Sequence, residues 1–163
     1  MQGCYIGFDT SNYTTSAAIC TEDGRIIANC KRPLPVKEGE RGLRQSDAVF
    51  AHVRNLPSLT EELGRVLAEE GLPPLAVGVS TRPRDAEGSY MPCFLAGRAA
   101  AGAFAAARDL PIYEFSHQNG HIMAALYSSG EAERLAQAPF LAFHVSGGTT
   151  EALLVTPKGT LML

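Results

Sequence analysis

Two histidines stand four residues apart in the run His117-Gln118-Asn119-Gly120-His121. On a helix that spacing puts both imidazoles on one face, roughly 6 Å apart at Cβ, where they can bite a divalent cation. Zinc or iron takes at least a third ligand, yet no Asp, Glu or Cys lies on the same turn. The glutamate of an HExxH metalloprotease helix is also absent. Two readings stand: half of a metal site, or a pair of partly buried or capping histidines with no ligand role. Gly120 costs the helix about 1 kcal/mol relative to Ala, which points to close approach by another group.

A second candidate is Ser146-Gly147-Gly148-Thr149-Thr150, placed between two apolar runs. Backbone N–H groups at a Gly-Gly turn can cradle phosphate oxygens, and the hydroxyls of Ser146 and Thr149 add donors. An ordinary hairpin turn explains the same residues. Thr10, Ser11 and Asn12 have the same two readings. Asp9 at the strand end serves either as an acceptor for a hydroxyl or a magnesium-bound water, or as the cap of the turn, and by itself it favours the cap. Lys31, Arg32, Lys37, Arg41 and Arg44, diluted by Glu38 and Glu40, form a solvated face or a local phosphate or RNA contact. Arg82 and Arg84 resemble an anion clamp that Asp85 and Glu87 can neutralise.

These residues must be positioned by the elements around them. Residues 4–9 and 14–20 alternate with β-formers across a Thr-Ser-Asn-Tyr turn, and 26–30 continue after Glu22-Asp23-Gly24-Arg25, giving an antiparallel meander. Ser46 is expected to cap a helix carrying Val49, Val53, Leu56, Leu63 and Leu67, kinked or split at Pro57 and stopped at Gly71. A strand over 75–80 and a polar loop over 81–92 follow. Next comes an Ala/Gly helix over 94–108, whose small side chains suit close packing. A strand over 112–115 leads to a helix capped by Ser116 and running to about Tyr127, which 131–136 extends after a break at Ser128-Ser129-Gly130. Strands over 140–145 and 151–156 then flank the glycine doublet, with another over 159–163. This order fits an α/β lobe of the actin/Hsp70/sugar-kinase (ASKHA) type, a mixed sheet opening with an antiparallel meander and flanked by helices. Residues 1–163 are expected to form a single N-terminal lobe of that type, the first half of a two-lobe protein.

Composition narrows the function classes. The 163 residues include 14 Lys+Arg against 17 Asp+Glu, a formal net charge of −3, with 45% hydrophobic and 19% charged residues. A chain of this size buries an ordinary core, and its near-balanced charge gives no broad footprint for duplex nucleic acid, so any such contact must be local. The apolar stretch 91–108 is interrupted by Arg98 and falls short of roughly 20 apolar residues, so no membrane span is expected. The amino terminus lacks the basic start of a signal peptide, which makes the cytoplasm the expected location. Cys4, Cys20, Cys30 and Cys93 show no metal spacing and are expected as thiols.

Taken together, GFDTSNYTTSAAI, AHVRNLPSL, SHQNGHIMAAL and FHVSGGTTEALLV resemble, in order and over essentially the whole chain, the glycoprotease-like family. Its members, once called O-sialoglycoprotein endopeptidases and now known as the TsaD group, transfer a threonylcarbamoyl group to a tRNA adenosine. The related TsaB-like proteins lack the histidine pair. The resemblance implies that His117 and His121 bind a catalytic divalent metal, iron or zinc or else magnesium. It implies too that Ser146, Gly147, Gly148 and Thr149 line a site for an adenine nucleotide, and Asp9, Thr10 and Ser11 are taken with them as candidate nucleotide- or substrate-binding residues. The family's third metal ligand is an aspartate of the second lobe, outside this sequence, so the missing carboxyl-terminal lobe or a paralogous partner chain is implied, as is tRNA. The sequence departs from the family at three places. Tyr13 and Thr14 stand where the family has an Asp-Glu pair, Thr149 replaces a histidine, and Arg82-Pro83-Arg84 replaces a Gly-Pro-Gly loop. A divergent enzyme lobe is therefore weighed against a non-catalytic partner that dimerises through the 94–108 helix. A metalloprotease, suggested by the older family name, lacks a general-base carboxylate in HQNGH.

Overall fold

The computed structural model describes residues 2–11, 13–36, 42–135, 137–145, 150–156 and 159–162. The chain forms two compact units, one of Met1–Arg82 and Tyr90–Phe115, the other of Pro83–Ser89 and Ser116–Leu163.

The first unit is built on β1 (Cys4–Asp9), β2 (Thr14–Thr21), β3 (Ile26–Pro33), β4 (Pro74–Arg82) and β5 (Ile112–Ser116), in the order β3-β2-β1-β4-β5. β1 pairs antiparallel with β2 and parallel with β4, with Ile6 opposite Ile19 on one side and Val77 on the other. The sheet is therefore mixed and opens with the expected meander. Alternation along β1 buries Cys4, Ile6 and Phe8 on one face. Against them pack Leu56, Leu59 and Leu63 of helix α1 (Gln45–Glu70) and Ala96, Ala101 and Ala105 of α2 (Phe94–Ala107).

Three local expectations are corrected. Ser46 is not the cap of α1: Arg44 holds the extended cap position without a side-chain bond, and the Ser46 hydroxyl donates to Asp47 Oδ1 at 3.4 Å. α1 is one continuous helix through Pro57. The ring deprives the Val53 carbonyl of its helical donor on the exposed side of the helix, where Val53 is 54% exposed. The buried stripe of α1 is Ala48, His52, Leu56, Leu59 and Leu63, rotated away from the expected Val53. α2 is as tightly packed as its composition suggests, with Ala101 fully buried.

The second unit holds α3 (His117–Ser129), the short α4 (Ala132–Leu135) and a sheet β6 (Phe140–Val145), β7 (Thr150–Thr156), β8 (Gly159–Met162). Both of its pairings are antiparallel. Ser116 caps α3 by accepting the Asn119 amide at 3.2 Å, and Gly130 ends it in the left-handed conformation at φ 72°. α4 follows after the break at Gly130, in the place expected for it. None of the four cysteines is in a disulfide. No helix among the described residues is long and apolar enough to cross a membrane.

Candidate functional site

The second unit presents the histidine pair. Because α3 starts at His117, the two imidazoles occupy its first turns on one face, and His117 Nε2 lies 2.9 Å from His121 Nε2. The rings meet edge to face, with centroids 4.3 Å apart. The two Nε2 atoms are hydrogen-bonded to each other, and the same 2.9 Å separation would subtend close to a right angle, the cis angle of octahedral coordination, at an ion about 2.0–2.1 Å from both. The pair thus fits two ligands of a divalent ion. Among the described residues no group of three His, Cys, Asp or Glu is arranged to hold a metal. A Cβ at Gly120 would meet nothing within 4 Å, so the expected close approach is not found there.

The amino end of α3 is anchored by residues 83–85, some way upstream in the sequence. Gln118 N donates to Pro83 O at 3.0 Å, and Asn119 Nδ2 donates to Asp85 Oδ2 at 2.6 Å. Gln118 Nε2 reaches Glu151 Oε2 at 2.6 Å, and Arg84 forms an ion pair with the other carboxylate oxygen. The Glu151 side chain is only 9% exposed, so Arg84 and Gln118 supply the partners that a buried charge requires. Arg84 is therefore tied to Glu151, not to Asp85 or Glu87 as its sequence neighbours suggest. His144 sits directly across the hairpin from Glu151, with Nδ1 3.7 Å from Oε2, and its ring stacks on His121 at 5.6 Å. The sequence reading missed His144 and Glu151. Their signal was the pairing register that a hairpin around the glycine doublet imposes.

The nucleotide candidates Ser146, Gly147, Gly148 and Thr149 lie outside the described residues. Of the others, Asp9 Oδ1 accepts the Ser11 amide at 2.8 Å, the turn-capping bond expected of it. The Thr10 hydroxyl is fully buried, donating to Cys93 O at 2.9 Å and accepting Gly97 N at 3.0 Å. It clamps the start of α2. A buried polar group absent from the sequence reading belongs to the same unit: His52 of α1, whose Nδ1 is 2.8 Å from Thr15 Oγ1, to which Asn55 also donates at 3.1 Å. His52 Nε2 is buried without a hydrogen-bond partner. Burial holds this imidazole below the ordinary histidine range, partly offset by the charge of Asp9. Arg32 of the basic segment pairs with Glu62 at 2.6 Å, while Lys37 and Arg41 lie outside the described residues. An apolar hollow of about 210 Å³ among Tyr5, Ala76, Val77, Gly78, Tyr113 and Phe115 holds no carboxylate, imidazole or thiol.

No family model matches the chain. It is 32% identical over 155 residues to a tRNA N6-adenosine threonylcarbamoyltransferase of Bordetella pertussis, covering 94% of this chain and 42% of that protein. An enzyme of the same name from Streptococcus pneumoniae is 31% identical over 159 residues, covering 94% and 43%. The chain thus spans less than half the length of these relatives. Among solved structures, YeaZ from Pseudomonas aeruginosa superposes with a TM-score of 0.55 at 16% identity, covering 99% of this chain and 64% of that one. A ROK family glucokinase from Streptomyces griseus, in complex with glucose and AMPPNP, gives 0.52 at 14% identity, covering 98% and 46%. At those identities the structures speak for the fold alone, and they bear out the actin/Hsp70/sugar-kinase-type architecture. The family resemblance read from the four stretches is borne out by the curated relatives.

Proposed function

We propose that this chain, a relative of the tRNA N6-adenosine threonylcarbamoyltransferases, supplies the histidine half of a divalent-metal site in a cytoplasmic tRNA-modifying enzyme. The observation that carries this reading is the 2.9 Å separation of His117 Nε2 and His121 Nε2 on one face of α3. Imidazole donors suit iron or zinc better than magnesium, and the remaining ligands come from a second lobe or partner chain. A bound ion supplies Lewis-acid polarisation of a carbonyl. This chain's own part is to hold the two imidazoles at a fixed separation through the Ser116 cap and the Gln118–Pro83 bond. On this reading, Ser146, Gly147, Gly148 and Thr149 offer backbone donors to the phosphates of an adenine nucleotide. Exposed apolar residues on one face of β6, Leu141 at 58%, Phe143 at 73% and Val145 at 71%, support further protein covering this unit.

The test is equilibrium dialysis of the chain, alone and with the remainder of the protein, against Zn²⁺, Fe²⁺ and an ATP analogue. Metal retention that disappears in His117→Ala and His121→Ala is the expected result. Absence of both metal and adenine-nucleotide affinity in the completed protein overturns the reading.

A second reading, a non-catalytic partner lobe, is favoured by Tyr13 and Thr14 standing where the family carries two carboxylates. Since Ala101 is buried, association through α2 would use its outward residues Leu95, Arg98, Ala99 and Ala103. Light scattering decides: Leu95→Asp must lower the mass if that face pairs, and an unchanged mass removes it.

A further inference from the structure

His144 is assigned no role by its sequence context, yet its surroundings are specific. It faces Glu151 across the β6–β7 ladder, its Nδ1 is buried without a hydrogen-bond partner, and its ring lies at 29° to that of His121 with centroids 5.6 Å apart. Such stacking sets a ring beside its neighbour and does not aim its nitrogen at a shared point. His121 is exposed and hydrogen-bonded to His117 at 2.9 Å, and because a histidine ring turns about χ2 in a broad well, a stacked neighbour further restricts the orientation in which its Nε2 meets that of His117. Glu151 is fixed in turn by Arg84 and by Gln118 of α3 itself. The path therefore runs from the helix, through a buried carboxylate and across the hairpin, back to the helix's second imidazole.

We propose that His144 is the positioning residue of the His117–His121 pair: seated across from Glu151, its ring stacks on His121 and fixes the orientation in which the two Nε2 atoms meet. Groups that orient metal-binding histidines contribute roughly 10–100-fold to metal affinity. The inference rests on the reading of the pair as a cation site, so the experiment has two arms.

In the first arm, Co²⁺ is titrated into the 163-residue chain and its His144→Phe and His144→Leu variants, following the visible absorption of the bound ion. Phe keeps an aromatic ring for the stack, and Leu keeps bulk without one, so both are expected to fold, as circular dichroism checks. His144→Leu is expected to weaken Co²⁺ by about 10-fold or more, and His144→Phe to recover most of that loss. Equal affinity in all three proteins, or an equal loss in both variants, overturns the proposal. The second arm needs no metal: the side-chain ¹⁵N and ¹³Cε1 resonances of His121 are compared across the same proteins. They should shift and broaden in His144→Leu and stay close to the parent in His144→Phe. If neither the parent chain nor the chain completed with the remainder of the protein binds Co²⁺ the cation reading falls, and His121 resonances identical in parent and His144→Leu overturn the positioning role independently.

Discussion

The Thr10 hydroxyl bridges the start of α2, accepting Gly97 N at 3.0 Å while donating to Cys93 O at 2.9 Å. The approach leaves no room for a side chain at 97: a Cβ there would meet Thr10 Oγ1 at 2.8 Å and Cγ2 at 3.2 Å. Gly97→Ala should gain up to about 1 kcal/mol of helix preference and lose about 1–3 kcal/mol to overpacking, so net destabilisation is expected. Thr10→Ala should cost about 1–3 kcal/mol by orphaning a buried amide. Truncating Thr10 also frees the space that an added methyl at position 97 needs, so the double variant should lose less than the sum of the two. Urea unfolding of the four proteins measures this, and strict additivity would contradict the contact.

His52 makes folding pH-dependent. Its imidazole is fully buried, pairs with Thr15 and titrates below the ordinary range because burial disfavours the charged form. The unfolded chain therefore takes up this proton first. Stability should be intact above the unfolded histidine pKa of about 6.5 and should decline as the pH falls through it towards the lower folded value. Chemical denaturation from about pH 7.5 to about pH 5 should show that decline, and His52→Gln should flatten it. An unchanged slope in His52→Gln would assign the pH dependence elsewhere.

The sequence made the alternating patterns and the helix stops legible, because each rests on residues close in the chain. The meander follows from alternation in β1 and β2, and the end of α1 from Gly71, whose φ of 64° suits a residue without Cβ. The i, i+4 histidines could be placed on one face for the same reason. What stayed hidden depends on long-range partners. The rotation of α1 about its axis is set by the Thr15–His52–Asn55 contacts across 37 and 40 residues. The Glu151 anchor is set by Arg84, 67 residues away. Ser46 misled because its hydroxyl bonds to Asp47, leaving the cap position to Arg44.

Pro57 lies inside α1 without dividing it. The ring still removes one helical hydrogen bond, and the Thr60 hydroxyl, shared between Leu56 O and Pro57 O at 2.9 Å each, does not reach the Val53 carbonyl that lost its donor. Pro57→Ala restores the amide at an exposed position and should stabilise the first unit, by up to about 3 kcal/mol. Thermal unfolding checks it, and a lowered midpoint would mean that the proline sets a helix geometry the core requires.

The thiols should be slow to react in the folded protein. Burial, reinforced by the Glu62 carboxylate, pushes Cys30 up to about 11, and burial also raises Cys4 and Cys20. At about pH 8 a thiol with a pKa of about 11 is ionised in about one molecule in a thousand, against roughly one in four at the ordinary value, and only the thiolate attacks. Cys4, Cys30 and Cys93 are also shielded from reagent, whereas Cys20 is half-buried. A disulfide-exchange reagent at about pH 8 should therefore show no rapid phase. The slow phase of one equivalent should disappear in Cys20→Ser, and all four thiols should titrate once the chain is unfolded. A fast burst in the native protein would mean that a thiol expected to be protonated is already ionised.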